Sequence, residues 1–249
     1  MSRKIAEDAK ELYDQIQFGH LNYERARYNP LLFDFLGMIK KDERLFDIGC
    51  GSGYWMGVYV DYGIPKERIT GVDISPSNVD TLKQRGFNAM YGDVMDLQLE
   101  DDTADFTISN GVIHHTADPF RAFEELVRIT RPNGHMYLSV YNKWNPYYYI
   151  VHKATFPIRY LYWNRNKKNI VNFIYPLSKT LFQPLALLLL GRFLDDKSAR
   201  ALFMDQVITP RAHLFSKKLI ASYAKRCNCA IETIKYTNAF FMITSIIRI

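Results

Sequence analysis

Residues 45–53 read Leu45-Phe46-Asp47-Ile48-Gly49-Cys50-Gly51-Ser52-Gly53, a short apolar segment followed by a glycine-rich turn with an acidic residue before it. The apolar segment predicts a strand, and residues 54–62 predict a helix directly after the turn. Glycine at every second position lets the backbone turn tightly and approach a ligand closely. The first N–H groups of the helix have no partner within it, so they can bind that ligand.

The spacing of the glycines and the acidic residue before them distinguish between ligands. A dinucleotide fingerprint, G-x-G-x-x-G, needs a last glycine where this chain has Tyr54 and Trp55. The carboxylate of Asp47 repels a pyrophosphate but suits a cationic amino group. The turn therefore favours an adenosyl ligand with an amino-acid tail over NAD.

Further strands follow in an order typical of a doubly wound sheet. Residues 68–73 predict a second strand that ends in Asp73, where an acid accepts hydrogen bonds from ribose hydroxyls. A third strand over 88–91 is followed by Asp93, which could reach an adenine amino group. A fourth strand over 105–111 leads into His114 and His115. A fifth is predicted over 134–141.

With these motifs together, the chain resembles class I S-adenosylmethionine (SAM) dependent methyltransferases. Within them it most resembles the branch of ubiquinone/menaquinone methyltransferases and other small-molecule methyltransferases. The resemblance covers roughly residues 40–141 and is carried by five motifs in the family's order: Asp47-x-Gly49-x-Gly51-x-Gly53, Gly71-x-Asp73-x-Ser75, Gly92-Asp93, Ser109-Asn110-Gly111-Val112-Ile113-His114-His115 and Arg128-Ile129-Thr130-Arg131-Pro132-Asn133-Gly134.

The resemblance implies an α/β fold, a Rossmann-like doubly wound seven-stranded sheet with N-terminal helices and a helical insertion after strand five. It implies SAM as the cofactor, with Asp47 and the glycines beside the methionine moiety, Asp73 on the ribose, Asp93 with Val94 at adenine and Asn110 near the methionine end. The full set of expected cofactor-binding residues is Asp47, Gly49, Cys50, Gly51, Gly53, Asp73, Ile74, Asp93, Val94, Asn110 and Gly111.

Composition bounds the location and the class of protein. The chain has 249 residues, 48% of them hydrophobic, a length at the upper end for one domain. Its three cysteines form no disulfide framework, and Cys227-x-Cys229 is too isolated to predict a metal site. There is no secretory segment and no apolar run of about 18 residues, so we expect a cytoplasmic protein. The net charge of +6 hints at anionic partners.

The chain divides into four parts. Residues 1–40 predict an N-terminal helical cap, and residues 41–141 form the SAM-binding half. Residues 142–215 are a connection too long for a plain loop, so we expect a helical insertion that acts as a substrate lid. Residues 216–249 predict a helix and the last two strands of the sheet.

The insertion is rich in aromatic and basic residues, for which three interpretations stay open. The aromatic residues pack a small core of the insertion, line an apolar substrate pocket, or meet lipid together with the basic residues. Nucleic-acid binding by stacking and charge is a further alternative. The substrate candidates are Tyr147, Tyr148, Arg211 and His213.

Two adjacent histidines are the catalytic candidates. Methyl transfer is an in-line displacement, so positioning supplies most of the rate, and a base helps an O or N nucleophile that must lose a proton. A histidine just past the fourth strand lies by the transferred methyl group, and its pKa suits the role. We favour His115 over His114, because side chains on a strand and turn should diverge.

The predicted function is methylation of an O or N nucleophile of a small molecule, such as a secondary metabolite or a lipid-like or quinone-like acceptor. One alternative is a tRNA-modifying methyltransferase, since a related tRNA-modifying branch shares the Val-Ile-His-His stretch. A second alternative is a catalytically silent methyltransferase-like partner subunit. Against this last alternative, every acid and glycine expected at the cofactor is present.

Overall fold

A computed structural model describes residues 2–15, 29–177, 179–180, 193, 195–238 and 240–249. They form one seven-stranded sheet with the order β3-β2-β1-β4-β5-β7-β6. Strands β1 to β5 pair in parallel, and β7 runs antiparallel to both of its neighbours. The strands are Leu45–Ile48, Ile69–Asp73, Asn88–Tyr91, Ala104–Asn110, Thr130–Tyr141, Ala230–Thr237 and Met242–Arg248, numbered β1 to β7. The predicted fold class is confirmed.

Helices flank the sheet and also form the insertion. Short 3₁₀ turns lie at Lys66–Arg68 and Ile113–His115, and a π-helical turn lies at Met204–Ile208. The α-helices are Ser2–Gln15, Pro30–Leu36, Tyr54–Tyr62, Pro76–Gln84, Pro119–Ile129, Pro146–Ala154, Phe156–Asn164, Asp196–Phe203 and Lys217–Arg226, labelled α1 to α9.

The helices after the strands begin where the local sequence caps them. Asp118 accepts hydrogen bonds from the backbone N–H groups of Phe120 and Arg121, and Pro119 occupies the first turn of α5. Proline suits this position because its missing N–H would have no partner there. Ser75 and Ser216 cap α4 and α9 in the same way. These caps set the points where the chain leaves the edge of the sheet that carries the site.

The insertion after β5 is helical and has its own apolar core. Tyr162, Val171, Tyr175 and Phe203 are buried in this core together with Leu12 of helix α1. The N-terminal helix also reaches the sheet half, because the Asp14 carboxylate accepts hydrogen bonds from the hydroxyls of Ser75 and Ser77. Helix α1 therefore joins the insertion to the SAM-binding half.

Parts of two predicted segments lie outside the described residues. These are residues 16–28 of the N-terminal cap and residues 181–192 of the insertion. Within the described parts of the chain, no helix combines the length and apolarity needed to cross a bilayer.

Two local expectations differ from the structure. Strand β5 begins at Thr130 rather than near residue 134, because the residues after α5 already pair with Ala104 before a register shift. The two histidines do not diverge, since the 3₁₀ turn at Ile113–His115 brings their ring centroids to 4.1 Å. The two histidines differ instead in how deeply they are buried, because His114 is fully buried and His115 is partly exposed.

Candidate active site

One cavity lies at the carboxyl edge of the parallel strands. It has a volume of about 310 Å³ and is lined by residues at or just after the ends of four strands, namely Ile48, Asp73, Asn110 and Tyr141. The chain order reverses between β1 and β4, and doubly wound sheets bind ligands in the crevice at such a point. The topology therefore places the predicted motifs around one binding site.

The glycine turn supplies the floor of the cavity. Gly49 has a φ of +79°, and a Cβ there would lie 2.4 Å from Val112 Cγ2, so no other residue fits without displacement. The backbone N–H groups of Gly49 and Cys50 both donate to the Val72 carbonyl oxygen, at 2.7 and 3.2 Å. These bonds hold the turn against strand β2.

Asp73 is fixed at the wall by three donors. Its Oδ2 accepts from the Gly51 N–H at 2.8 Å, and its Oδ1 accepts from the Ser75 N–H at 2.9 Å and the Asn78 amide at 3.1 Å. Burial raises the pKa of Asp73, while these hydrogen bonds act in the opposite direction. The carboxylate is therefore held in one orientation beside the glycine turn, with acceptor capacity left for hydroxyl groups of a ligand.

Asp93 marks the other end of the cavity. It lines the wall with Gly92, Val94 and Met95, and its Oδ1 accepts from the Met95 N–H at 2.9 Å. Burial raises the pKa of this half-buried carboxyl. Because one oxygen already has a backbone donor, the second can accept a hydrogen bond from an amino group.

Most of the predicted cofactor residues meet at this cavity, and two do not. Gly49, Cys50, Gly51, Asp73, Ile74, Asp93, Val94, Asn110 and Gly111 all line it. Asp47 lies beneath the turn with 3% exposure, and Gly53 begins helix α3 away from the wall. Asp47 lies within β1, which is buried along its whole length, and its place beside the methionine moiety stays a prediction.

The environment of Asp47 is unusual for a carboxylate. Burial raises its pKa to about 7, whereas the nearby Tyr59 hydroxyl lowers it and Asp73 raises it further. A carboxyl in this setting changes its charge near neutral pH.

His115 lines the cavity, and His114 does not. The His115 Nδ1 lies 3.0 Å from the carbonyl oxygen of Arg211, and because a carbonyl oxygen only accepts, Nδ1 carries the proton. The lone pair is then on Nε2. Burial lowers the pKa of His115, an effect that Asp205 partly offsets. The ring is therefore neutral near pH 7 and able to accept a proton.

His114 lies behind its neighbour, fully buried. Its ring packs on Tyr141 with centroids 3.8 Å apart, and neither ring nitrogen has a hydrogen-bond partner among the described residues. Burial lowers its pKa well below the usual value, with His115 and His213 adding to the effect. His114 thus packs the wall as a neutral aromatic ring, and the prediction of a base narrows to His115.

Arg211 and His213 act through their backbones. The Arg211 carbonyl holds His115, and the His213 N–H donates to the His114 carbonyl oxygen at 2.7 Å. Neither side chain lines the cavity, which corrects their prediction as substrate-lining residues. The stretch that ends the insertion therefore positions the histidine turn.

Aromatic side chains close one end of the cavity, which we call the acceptor end. Tyr148 stacks on Tyr141 with centroids 4.0 Å apart, and Tyr13 and Phe241 also line this end. Tyr147 points elsewhere: it is half-buried against Phe241, burial raises its pKa to about 12, and it does not line the cavity. Of the two predicted tyrosines, only Tyr148 is on the wall.

A polar pair, Asp205 and Gln206, lies beside this wall and was not predicted from the sequence. Gln206 Nε2 donates to the Tyr141 hydroxyl oxygen at 2.9 Å and to the Asp205 carboxylate at 2.6 Å. The Tyr141 hydroxyl lies 3.3 Å from that carboxylate, and burial raises its pKa well above the usual value. No sequence signal marks this pair, because a π-helical turn within the insertion presents it.

The charged side chains that line the cavity are acidic. Three carboxylates, Asp73, Asp93 and Asp205, line it, and no Lys or Arg does so among the described residues. Such a wall favours a cationic ligand such as a sulfonium with an amino group. The carboxylates of Asp73 and Asp93, the glycine turn and the acidic lining of the cavity therefore fit SAM. When bound, SAM would supply a reactive methyl group.

Residues 46–138 match the profile of the family described as "Methyltransferase domain". Over these residues the chain carries a methyltransferase domain.

Curated relatives and a solved structure agree with this assignment. The chain is 32% identical over 143 residues to tRNA (carboxymethyluridine(34)-5-O)-methyltransferase ALKBH8 of Macaca fascicularis, covering 56% of this chain and 21% of that protein. It is 33% identical over 101 residues to malonyl-[acyl-carrier protein] O-methyltransferase of Serratia marcescens, covering 40% and 38%. A SAM-dependent methyltransferase structure from Aquifex aeolicus shares the fold, with a TM-score of 0.55, 12% identity and coverage of 92% and 94%. The chain thus spans only a fifth to two fifths of these curated relatives.

Proposed function

We propose that this protein transfers the methyl group of SAM to an oxygen or nitrogen atom of a small, uncharged, partly apolar molecule. The observation that carries the proposal is the position of His115, on the cavity wall with Nδ1 bound to the Arg211 carbonyl. A neutral imidazole with its lone pair on Nε2 is a base suited to a hydroxyl or amine acceptor.

The sheet half binds the cofactor in this proposal. Asp73 accepts hydrogen bonds from the ribose hydroxyls, and Asp93 accepts from the adenine amino group while Val94 packs on the ring. The backbone of the glycine turn and Asn110 lie at the methionine end. Their common location on one cavity wall supports these roles.

The acceptor end selects the second substrate. Tyr148 and Phe241 offer apolar surface, and the Tyr141 hydroxyl with its Gln206 partner offers one polar anchor. Among the described residues of the insertion, no Lys or Arg lines the cavity. Its carboxylates disfavour an anionic acceptor, so we narrow the acceptor to an uncharged one.

In this proposal His115 is the general base. Its Nε2 accepts the acceptor's proton as the oxygen or nitrogen bonds to the methyl carbon and the bond from that carbon to the sulfonium sulfur breaks, which leaves S-adenosylhomocysteine. Loss of the proton prevents a positive charge from growing on the oxygen or nitrogen. The Arg211 carbonyl keeps the ring in the required tautomer and orientation. A base of this kind typically contributes ~10²–10⁴-fold to the rate.

A tRNA acceptor is the second candidate. It is favoured by the 32% identity to the macaque tRNA methyltransferase, whose name specifies transfer to oxygen. The Serratia relative, which is named for a protein-bound malonyl group, is also an O-methyltransferase. Both names favour oxygen over nitrogen as the acceptor atom.

A two-part assay separates the candidates. Purified protein and SAM are incubated either with small-molecule extract or with total tRNA, and S-adenosylhomocysteine is measured by mass spectrometry. We expect release with the extract that depends on His115, tested with His115→Gln. Saturable release with tRNA alone would replace the small-molecule proposal, and release with neither would favour a silent subunit.

A further inference from the structure

The charge of the chain is concentrated in the insertion. Residues 142–194 contain eight of the 32 Lys and Arg side chains and no Asp or Glu. The rest of the chain therefore has 24 basic against 26 acidic side chains. The whole positive net charge of the protein arises from this one segment.

The same segment exposes large apolar side chains. Ile150 of α6, Phe156 of α7 and Phe173 with Leu177 on the helical stretch 170–177 are between 62% and 75% exposed. On α7, Phe156 and Tyr160 are four residues apart with ring centroids 6.3 Å apart, so they form one stripe. Several large apolar side chains exposed on one segment are typical of an interaction site.

These side chains are not required for the core of the insertion. That core is built by other residues of the same helices, such as Tyr162, Val171 and Tyr175, all of which are buried. Each helix thus has one face turned into the protein and a second apolar face turned outward. The outward faces are therefore free to contact a partner.

Basic side chains lie beside the exposed apolar ones. The Lys143 ammonium lies 4.6 Å from the ring centroid of exposed Trp144, and the Arg165 guanidinium lies 5.9 Å from that of Tyr160. Lys167, two residues after Arg165, is also exposed. Aromatic rings paired with cations are typical of helices that lie at the boundary between lipid headgroups and acyl chains.

We propose that this surface docks on a bilayer that contains anionic phospholipid. The surface, here named the insertion face, comprises Trp144, Ile150, Phe156, Leu161, Phe173 and Leu177 with the cations Lys143, Arg165 and Lys167. The cations bind headgroup phosphates, and the apolar side chains enter the acyl boundary. Aliphatic Ile150, Leu161 and Leu177 favour lipid over RNA, because bases stack on aromatic rings and not on aliphatic chains.

The docked face lies next to the active site. Helix α6 exposes Ile150 on one face and supplies Tyr148 to the cavity wall from the other. Docking would therefore hold the acceptor end of the cavity near the membrane surface. The proposal does not depend on which acceptor is methylated.

Vesicle flotation with the full chain tests the docking. Vesicles of phosphatidylcholine alone are compared with vesicles containing 30% phosphatidylglycerol, a fraction of about a third that gives a strong surface charge. We expect binding to the anionic vesicles, weakened at least tenfold on neutral ones and reduced by high salt. No binding to anionic vesicles would overturn the proposal.

Matched variants separate the insertion face from general charge. Phe156→Ser with Phe173→Ser should reduce binding at least tenfold, whereas Tyr91→Ser with Tyr236→Ser, exposed rings elsewhere, should not. The triple change Lys143→Glu, Arg165→Glu and Lys167→Glu should abolish binding. A triple of equal charge change on α4 and α9, Lys83→Glu, Lys218→Glu and Lys225→Glu, should weaken it far less.

Two results would assign the face to another partner. If the wild type forms a dimer that Phe173→Ser dissolves, the face is an interface between copies of the chain. If gel shifts show that tRNA binds through the same cations while vesicles do not, the face binds nucleic acid. SAM calorimetry on each variant shows whether it is folded, since the changed residues lie off the cavity.

Discussion

The Nδ1 atom of His115 lies 3.0 Å from the carbonyl oxygen of Arg211, 96 positions later in the chain. This hydrogen bond joins the end of the fourth strand to the end of the insertion. Because a carbonyl oxygen only accepts, the bond leaves Nε2 of His115 as the nitrogen without a proton, and in the proposed reaction the insertion thus positions the base.

His115→Ala should lower kcat at least ~10²-fold once a substrate is known, because the acceptor then loses its proton to no positioned base. The affinity for SAM should stay nearly unchanged by calorimetry, since the cofactor contacts lie elsewhere on the wall. An unchanged kcat would indicate that positioning alone drives the reaction and would favour an already ionised acceptor.

The pH dependence of kcat/KM should follow His115. Its pKa is lowered from the usual 6.5, mainly by burial, so the neutral, active form persists below that pH. Activity should therefore be level near neutral pH and fall only as the pH drops through the lowered pKa. In His115→Gln this acid limb should disappear from the residual activity, which a pH series on both proteins measures.

Asp73→Ala should weaken SAM binding by a few kcal/mol, because two ribose hydroxyls would lose their acceptor. Gly51→Val should abolish binding, since Gly51 has a φ of +55° and lines the cavity. Asp80→Ala serves as the control, as Asp80 is an exposed acid on the neighbouring helix α4. Calorimetry that shows wild-type affinity in both site variants would contradict the assigned cofactor site.

Asp47→Asn should stabilise the protein at pH 8. The folded-state pKa of Asp47 is raised from 3.8 to about 7, so the folded protein keeps this proton up to about pH 7. The stability that the bound proton contributes is complete below the unfolded pKa and is lost as the pH rises through the folded pKa. The variant should gain on the order of a few kcal/mol at pH 8 and less at pH 5. Urea unfolding at both values measures this, with exposed Asp61→Asn as the control. An equal gain at both values would show that Asp47 does not titrate in this range.

Replacing residues 142–210 with a short linker should remove activity, because Tyr148, Asp205 and Gln206 would leave the cavity wall. SAM binding should persist but weaken, because Leu12 of α1 would lose the core into which it packs. Calorimetry and circular dichroism on the variant test both effects. A chain that does not fold would place the insertion within the structural core.

The sheet could be predicted from the sequence because its signals are local. Each strand and the motif after it lie within about ten residues, and glycine, aspartate and capping residues at those positions have few other uses. Asp73 and Asp93 both line the cavity, and their roles toward the cofactor stay predictions.

The acceptor end could not be predicted in the same way, because chain segments far apart in sequence assemble it. Tyr13 comes from the N-terminal helix, and Asp205 from a π-helical turn that no periodicity marks. Tyr147 and Tyr148 are neighbours whose difference depends on the phase of α6. Arg211 contributes a carbonyl, which every residue type has, so its identity could not reveal its role.

The hydrogen bond between His115 and the Arg211 carbonyl means that the insertion and the proposed base cannot be exchanged independently. A chimera with a foreign insertion must also have a backbone carbonyl that faces His115. Without that carbonyl, no hydrogen bond would hold the proton on Nδ1 of the imidazole. Grafting experiments and evolutionary exchange of lids are therefore constrained at residues 209–213, where new specificity and retained reactivity have to arrive together.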